Sequence, residues 1–265
     1  MRFRPCIDLH RGRVKQIVGA TYRDADEGLV TNFDTDRPAR AFAEMYRSDG
    51  LTGGHVIMLG PGNEDAALSA LSAFPGGLQV GGGITPENAA RFLDAGASHV
   101  IVTSYVFREG VIDWKRLEAM VQAVGGAKLV LDLSCKKFDN RYLVVTDRWQ
   151  RVSNVAIDRE LLDGLAESCD ELLVHAAHVE GRREGVDTAL VELLAASAPL
   201  PVTYAGGIRS LEDLDTISEA GDGRIDATVG SALDIFGGSL PYREVVAWHH
   251  RHAGPSDNDS ERLSE

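Results

Sequence analysis

The chain is 265 residues long, 44% apolar, and carries a formal net charge of −13. That size suits a single barrel-type domain with a core of useful volume, and the acidic balance argues against a nucleic-acid partner. Three cysteines, Cys6, Cys135 and Cys169, lack metal-ligand spacing and fit a reducing compartment. With no apolar leader after Met1 and no run of ~20 apolar residues to span a bilayer, the expectation is a cytoplasmic protein with no membrane partner.

Taken in order, Phe3–Leu9 reads as a first strand, its alternation placing Cys6 and Asp8 on one face and Ile7 on the other. A carboxylate at a strand end is well placed to meet a ligand; a helix cap or a surface turn is the bland alternative for Asp8. His10–Arg37 is long for a connection, with a small hairpin expected at Val14–Val18 and Arg11-Gly12 as its turn. Lys15 there is either solvated or within reach of a phosphate. Pro38–Ser48 reads as a helix with Phe42, Met45 and Tyr46 on its apolar face. Strand two is His55–Leu59, after which Gly60-Pro61-Gly62 breaks the chain and Asn63 caps a helix to Ala73. Leu78–Val80 is strand three. Thr85-Pro86-Glu87 has the form of a helix start, cap then proline, and Gly96 closes that helix. His99–Val102 is strand four, ending in Thr103-Ser104, two hydroxyls that suit either a phosphate cradle or simple capping.

Trp114–Val124 is helical, and Lys128–Leu133 is strand five with Val130 and Asp132 on one face. Lys136-Lys137 reads as a solvated pair. Tyr142–Val145 forms an extra short strand, with Trp149 in the loop after it, placed either over a ligand ring or against the rim. Asp158–Glu167 is helical, and Glu171–His175 is strand six, with His175 pointing inward and satisfied there. His178 and Glu180 follow, past the strand end. Leu190–Ala196 is a helix, Pro201–Tyr204 strand seven, and Ser210 caps a helix over Leu211–Ala220. Ala227–Val229 is strand eight, Gly230-Ser231-Ala232-Leu233 starts a short helix, and a last helix spans Tyr242–His250. Residues 251–265 read as a disordered polar tail, leaving 1–250 as one domain.

The order contains an echo. Val80-Gly81-Gly82-Gly83-Ile84 returns as Tyr204-Ala205-Gly206-Gly207-Ile208, and Ile7-Asp8-Leu9 returns as Leu131-Asp132-Leu133, both at an offset of 124 residues (206 − 82 and 132 − 8). Val102-Thr103-Ser104 returns nearly in step as Val229-Gly230-Ser231. The reading is a half-unit used twice. Strand and helix alternate eight times without a block of consecutive strands, which predicts a parallel α/β fold, a (β/α)8 barrel (TIM barrel) built from two half-barrel repeats. An open doubly wound sheet competes, but no G-x-G-x-x-G follows the first strand.

In such a barrel the active site lies at the strand C-terminal ends. A glycine pair there lets a ligand approach the backbone, and free amide N–H groups bind an anion. Gly82, Gly83, Thr103 and Ser104 thus form one expected phosphate seat, and Gly206, Gly207, Gly230 and Ser231 the other. An acidic chain must hold phosphate by such local donors rather than by its overall field. Asp8 and Asp132 suggest an acid and a base acting between the seats.

These strings resemble the histidine-biosynthesis isomerase family that acts on phosphoribosyl-formimino-AICAR phosphate, in its fungal and plant form. The resemblance rests on Cys6–His10, Val14–Gly19, Gln79–Ile84, Ile101–Ser104, Asp132–Cys135, His175–Ala177, Val179–Gly181, Tyr204–Gly207 and Ser231–Gly238. It implies an Amadori rearrangement of a bisphosphorylated ribotide, aminoaldose to aminoketose, with no metal and no redox cofactor. It further implies Asp8 and Asp132 as the catalytic carboxylates, assigned here as base and acid. Where the family carries Asp after His-Ala-Ala, this chain has His178, and Ala177 replaces a Thr of the bacterial form. His178, Glu180, Trp149 and Lys15 are therefore secondary site residues. The related cyclase of imidazole glycerol phosphate synthesis shares the half-barrel repeat, both aspartates and both phosphate loops. A non-catalytic ribotide-binding barrel, and a broadened isomerase that also takes phosphoribosyl anthranilate, are further alternatives. A monomer is expected, for want of an apolar surface strip.

Overall fold

The computed structural model describes residues 1–17, 31–147, 149–177, 179 and 185–253, with the side chains at 17 and 31 excepted. Eight parallel strands close on themselves: β1 (Phe3–His10), β2 (Gly54–Met58), β3 (Leu78–Gly81), β4 (Val100–Val102), β5 (Leu129–Phe138), β6 (Glu171–Ala176), β7 (Val202–Ala205) and β8 (Ile225–Val229). Each pairs with the next, and β8 pairs with β1 in the register Arg4 with Thr228. Helices follow the strands on the outside: α1 (Ala39–Ser48), α2 (Glu64–Ala73), α3 (Ala89–Asp94), α4 (Trp114–Val124), α5 (Arg159–Ala166), α6 (Thr188–Ser197), α7 (Leu211–Ala220) and α8 (Tyr242–His252). This is a (β/α)8 barrel.

Alternation along each strand sends every second side chain inward and stacks the interior in tiers. The lowest tier is ionic. Arg4 Nε lies 2.8 Å from Asp226 Oδ2, and Arg4 Nη2 lies 3.4 Å from Glu171 Oε2. Gln79 and Thr203 donate to Glu171 at 2.9 and 2.7 Å. All five side chains are buried, so each carboxylate is matched by donors, as buried charge requires. Above it sits an apolar tier of Ile101, Val130, Leu173 and Ala205 with Ile57 against them. The uppermost tier carries Asp8, Asp132 and His175. Beneath the barrel, α8 covers the strand N-termini, and Phe3 N–H donates to His249 Nδ1 at 3.0 Å.

Several elements depart from the sequence expectation. Thr85-Pro86-Glu87 is a turn that leads into α3: the Thr85 N–H donates to Asn88 Oδ1 at 2.9 Å and its carbonyl accepts from Ala89 N–H at 3.1 Å, while regular α-helix begins at Ala89, later than expected. The Asn63 side chain does not cap α2; its amide oxygen instead accepts from Gly12 N–H at 2.8 Å. No helix starts at Gly230; a single 3-10 turn occupies Asp234–Phe236. β5 continues to Phe138 and carries an antiparallel flap of Arg141–Thr146 and Arg151–Ala156, the second of which the sequence reading missed. A two-residue-per-arm hairpin pairs Phe107–Arg108 with Val111–Ile112, also unforeseen. The expected hairpin after β1 is present as Arg13–Ile17, turned by Arg11 and Gly12 at φ 53 and 74°, and a further strand, Thr31–Thr35, pairs with it. α8 runs to His252, two residues into the stretch read as tail; residues 254–265 lie outside the described residues.

Candidate active site

Asp8 stands near the C-terminal end of β1, half-buried, and its Oδ2 accepts from Gln16 Nε2 at 2.9 Å. The tight turn at Arg11-Gly12 makes this possible by folding the Gln16 strand back over β1. Space for Gln16 comes from Gly230, where a Cβ would stand 2.6 Å from Gln16 Oε1 and 3.3 Å from Cys6 Sγ. Asp132, the fourth residue of the long strand β5, is held from two sides. Thr103 Oγ1 donates to its Oδ2 at 3.0 Å, and His175 Nδ1 lies 2.8 Å from its Oδ1. With the carboxylate ionised, His175 must be the donor at Nδ1. The inward, satisfied His175 expected from sequence thus has Asp132 as its partner. Thr103, read as part of a phosphate cradle, spends its hydroxyl on that carboxylate.

Between the two aspartates lies His55 on β2, which the sequence reading did not single out. A ring nitrogen of His55, Cys6 Sγ and an Asp8 carboxylate oxygen all fall within 4.8 Å of one another. Burial pushes His55 down to about 3; the charge of His175 acts in the same direction and that of Asp132 opposes it. Its ring is therefore neutral at ordinary pH, and its electrostatic neighbours lie on both sides of the mouth. Gln16 was missed as well. Only its parity with Val14 on a strand returning across β1 marked it.

The glycine pairs sit at the same end of the barrel as the aspartates. Gly82 has φ 93°, and a Cβ there would meet Met58 O at 2.1 Å; Gly207 has φ 75°, and a Cβ there would meet Gly185 O at 2.0 Å. Both positions thus require glycine for backbone reasons alone. Gly83, at φ 72°, is exposed, and the Asn88 amide donates to its carbonyl at 2.9 Å, fixing the turn. Among the described residues, no backbone carbonyl accepts from the N–H of Gly83, Ser104 or Gly207. Gly206 is buried at φ 133°, Ser231 is buried behind Gly230, and Ser104 is exposed. Trp149 hangs over the mouth from the flap, its ring 6.5 Å from that of His175, its carbonyl accepting from Lys136 Nζ at 3.0 Å and its φ at 65°. Lys15 pairs with Asp34, its Nζ 3.3 Å from Oδ2. His178 and Glu180 lie outside the described residues. A cleft of about 940 Å³ opens at the opposite end, among Met1, Arg2, Arg224 and His249, remote from this chemistry.

A (β/α)8 barrel with paired carboxylates and glycine-lined loops at the C-terminal ends of its strands has its candidate site where barrel enzymes carry their active sites. A family profile for histidine biosynthesis proteins matches residues 2–240. A relative from Medicago truncatula is 54% identical over 257 residues, covering 95% of this chain and 82% of its own. Relatives from Neurospora crassa and Saccharomyces cerevisiae are 49% and 41% identical, covering 94% of this chain and 99% and 98% of their own. All three are named as the isomerase of 1-(5-phosphoribosyl)-5-((5-phosphoribosylamino)methylideneamino)imidazole-4-carboxamide, the plant protein being chloroplastic by name. The chain belongs to this histidine-biosynthesis family and is an isomerase within it. Among the described residues no helix is long and apolar enough to cross a membrane.

Proposed function

We propose that the chain carries out the Amadori rearrangement for which its relatives are named, turning the bisphosphorylated aminoaldose into the aminoketose. The observation that carries this reading is the placement of two carboxylates, one tied to Gln16 and one clamped by Thr103 and His175, at opposite sides of a single mouth. In the first step an acid protonates the ribose ring oxygen as the ring opens to an imine at C1′. In the second a base takes the proton from C2′, and the resulting enolamine tautomerises to the ketone. Asp132 serves as the acid, drawing on a proton shared with His175 across their 2.8 Å contact. Asp8 serves as the base, its carboxylate oriented by the Gln16 amide.

The two phosphates bind at Gly82, Gly83 and Ser104 on one side and at Gly206, Gly207, Gly230 and Ser231 on the other. The glycine geometry supports both seats, the exposure of Gly83 and Ser104 supports the first, and a half-barrel repeat accounts for their symmetry. Trp149 covers the base of the ribotide. Three buried free cysteines fit reaction in a reducing cytoplasm. The cyclase reading is weaker, because the relatives that span nearly the whole chain carry the isomerase name. The test is turnover of the aminoaldose by purified protein without added metal or ammonia, with phosphoribosyl anthranilate assayed in parallel. Asp8→Asn and Asp132→Asn should each cost about 10²–10⁴ in turnover with the fold intact. Near-normal turnover of either variant removes that residue from its role.

A further inference from the structure

Immediately below Asp8 the barrel gathers three side chains of different donor chemistry. Cys6 and Asp8 are two residues apart on β1, and His55 stands beside Cys6 in the register of β1 with β2. The thiol sulfur, a carboxylate oxygen and an imidazole nitrogen lie within 4.8 Å of one another. Three protein ligands under an open mouth is the donor count of metal sites that keep one position for water or substrate. Sulfur and imidazole beside a single carboxylate select a thiophilic divalent ion, while Mg²⁺ and Ca²⁺ prefer all-oxygen sites. The Gln16 amide nitrogen lies 2.9 Å from Asp8 Oδ2 and 3.9 Å from Cys6 Sγ, so one electropositive group already bridges two of the three donors. His55, being neutral, presents a nitrogen lone pair.

We propose that Cys6, Asp8 and His55 form an inhibitory site for a thiophilic divalent cation of the Zn²⁺ class, which engages the Asp8 carboxylate and closes the mouth to substrate. Binding forms one bond each to sulfur, oxygen and nitrogen, and the thiol proton of Cys6 passes to solvent. Nothing is oxidised, and a chelator reverses the step. The inhibition half of this proposal rests on Asp8 as the base; the binding half does not.

The experiment titrates Cd²⁺ into the full chain and follows thiolate-to-metal charge-transfer absorption, with turnover measured in parallel. The expected result is one Cd²⁺ per chain, loss of turnover at the same midpoint, and recovery on adding chelator. Cys6→Ser should lose the band, and its own turnover should ignore the metal. Cys135 and Cys169 remain in that variant as internal controls, buried and with burial pushing both thiols up. His55→Gln should weaken binding by at least about 10–100-fold, the range seen when even supporting residues of metal sites are changed. A band retained in Cys6→Ser, or no band in the wild type, overturns the site. Stoichiometric binding with turnover unaffected overturns the closure. A chain that never isomerises the aminoaldose fails the proposed function instead, while the absorption still decides the site.

Discussion

Substituting Gly230 by alanine tests how Asp8 is held. Gly230 is outside the left-handed region, so its backbone accepts a side chain. The new Cβ would stand 2.6 Å from Gln16 Oε1, against roughly 3.5 Å for an ordinary contact. The amide must therefore retreat by about 1 Å, which breaks its 2.9 Å hydrogen bond to Asp8. A hydrogen bond to a charged group is worth about 1.5–3 kcal/mol, and the half-buried position of Asp8 argues for the lower end. At about 1.4 kcal/mol per unit, the acid limb of kcat/KM should move up by about one pH unit. Stability at neutral pH should fall by about the same 1.5 kcal/mol, because the bond is lost from the folded state. Gln16→Met, which removes the donor without adding a Cβ at 230, should move the limb by the same amount. An unmoved limb in both variants refutes the link between Gln16 and Asp8. A raised KM with the limb in place would assign Gly230 to the phosphate seat alone.

Two further outcomes follow from the lower face. Arg4→Leu leaves Glu171 and Asp226 as buried carboxylates without their shared cation, and should cost about 3–5 kcal/mol by urea denaturation; a loss under 1 kcal/mol would show that the ionic tier is not what closes the barrel floor. His249 is pushed down to about 4, chiefly by burial and secondarily by His250, and its Nδ1 accepts the Phe3 N–H. Its folded value is lower than the unfolded value of about 6.5, so its contribution is complete above pH 6.5 and is lost as the pH falls toward 4. The urea midpoint should decline across that window, and His249→Leu should flatten the decline; an unchanged profile would remove His249 from acid sensitivity.

Much of the fold was legible because its signals are local. α4 and α7 run over the predicted residues, with the Ser210 side chain accepting from Asp213 N–H at 3.3 Å as its cap. Every barrel strand starts and ends within about two residues of its expected position except β5, which runs on past Leu133 to Phe138, since a barrel strand buried on both faces reads as an apolar run. Where the chain was misread, a side chain took a partner that spacing does not reveal. Thr85 and Pro86 do lead into the helix, but three residues pass in a turn held by Asn88 before regular helix begins at Ala89. Arg151–Ala156 was overlooked because it pairs at the edge of a flap, half of it exposed, without an apolar face to betray it. At the site, Asp8, Asp132 and the glycine pairs were visible through their repetition. Thr103 could not be divided between phosphate and carboxylate, since a hydroxyl serves either and only distance decides. His55 and Gln16 occur once each, so no echo drew attention to them.

The tiered interior keeps two kinds of demand apart. Ile101, Val130, Leu173 and Ala205 offer no donor or acceptor between the ionic floor and the mouth, so only the field of Arg4, felt at His55, passes from one to the other. A variant library on the floor that leaves Arg4 in place can therefore search for thermal tolerance with least effect on the groups at the mouth.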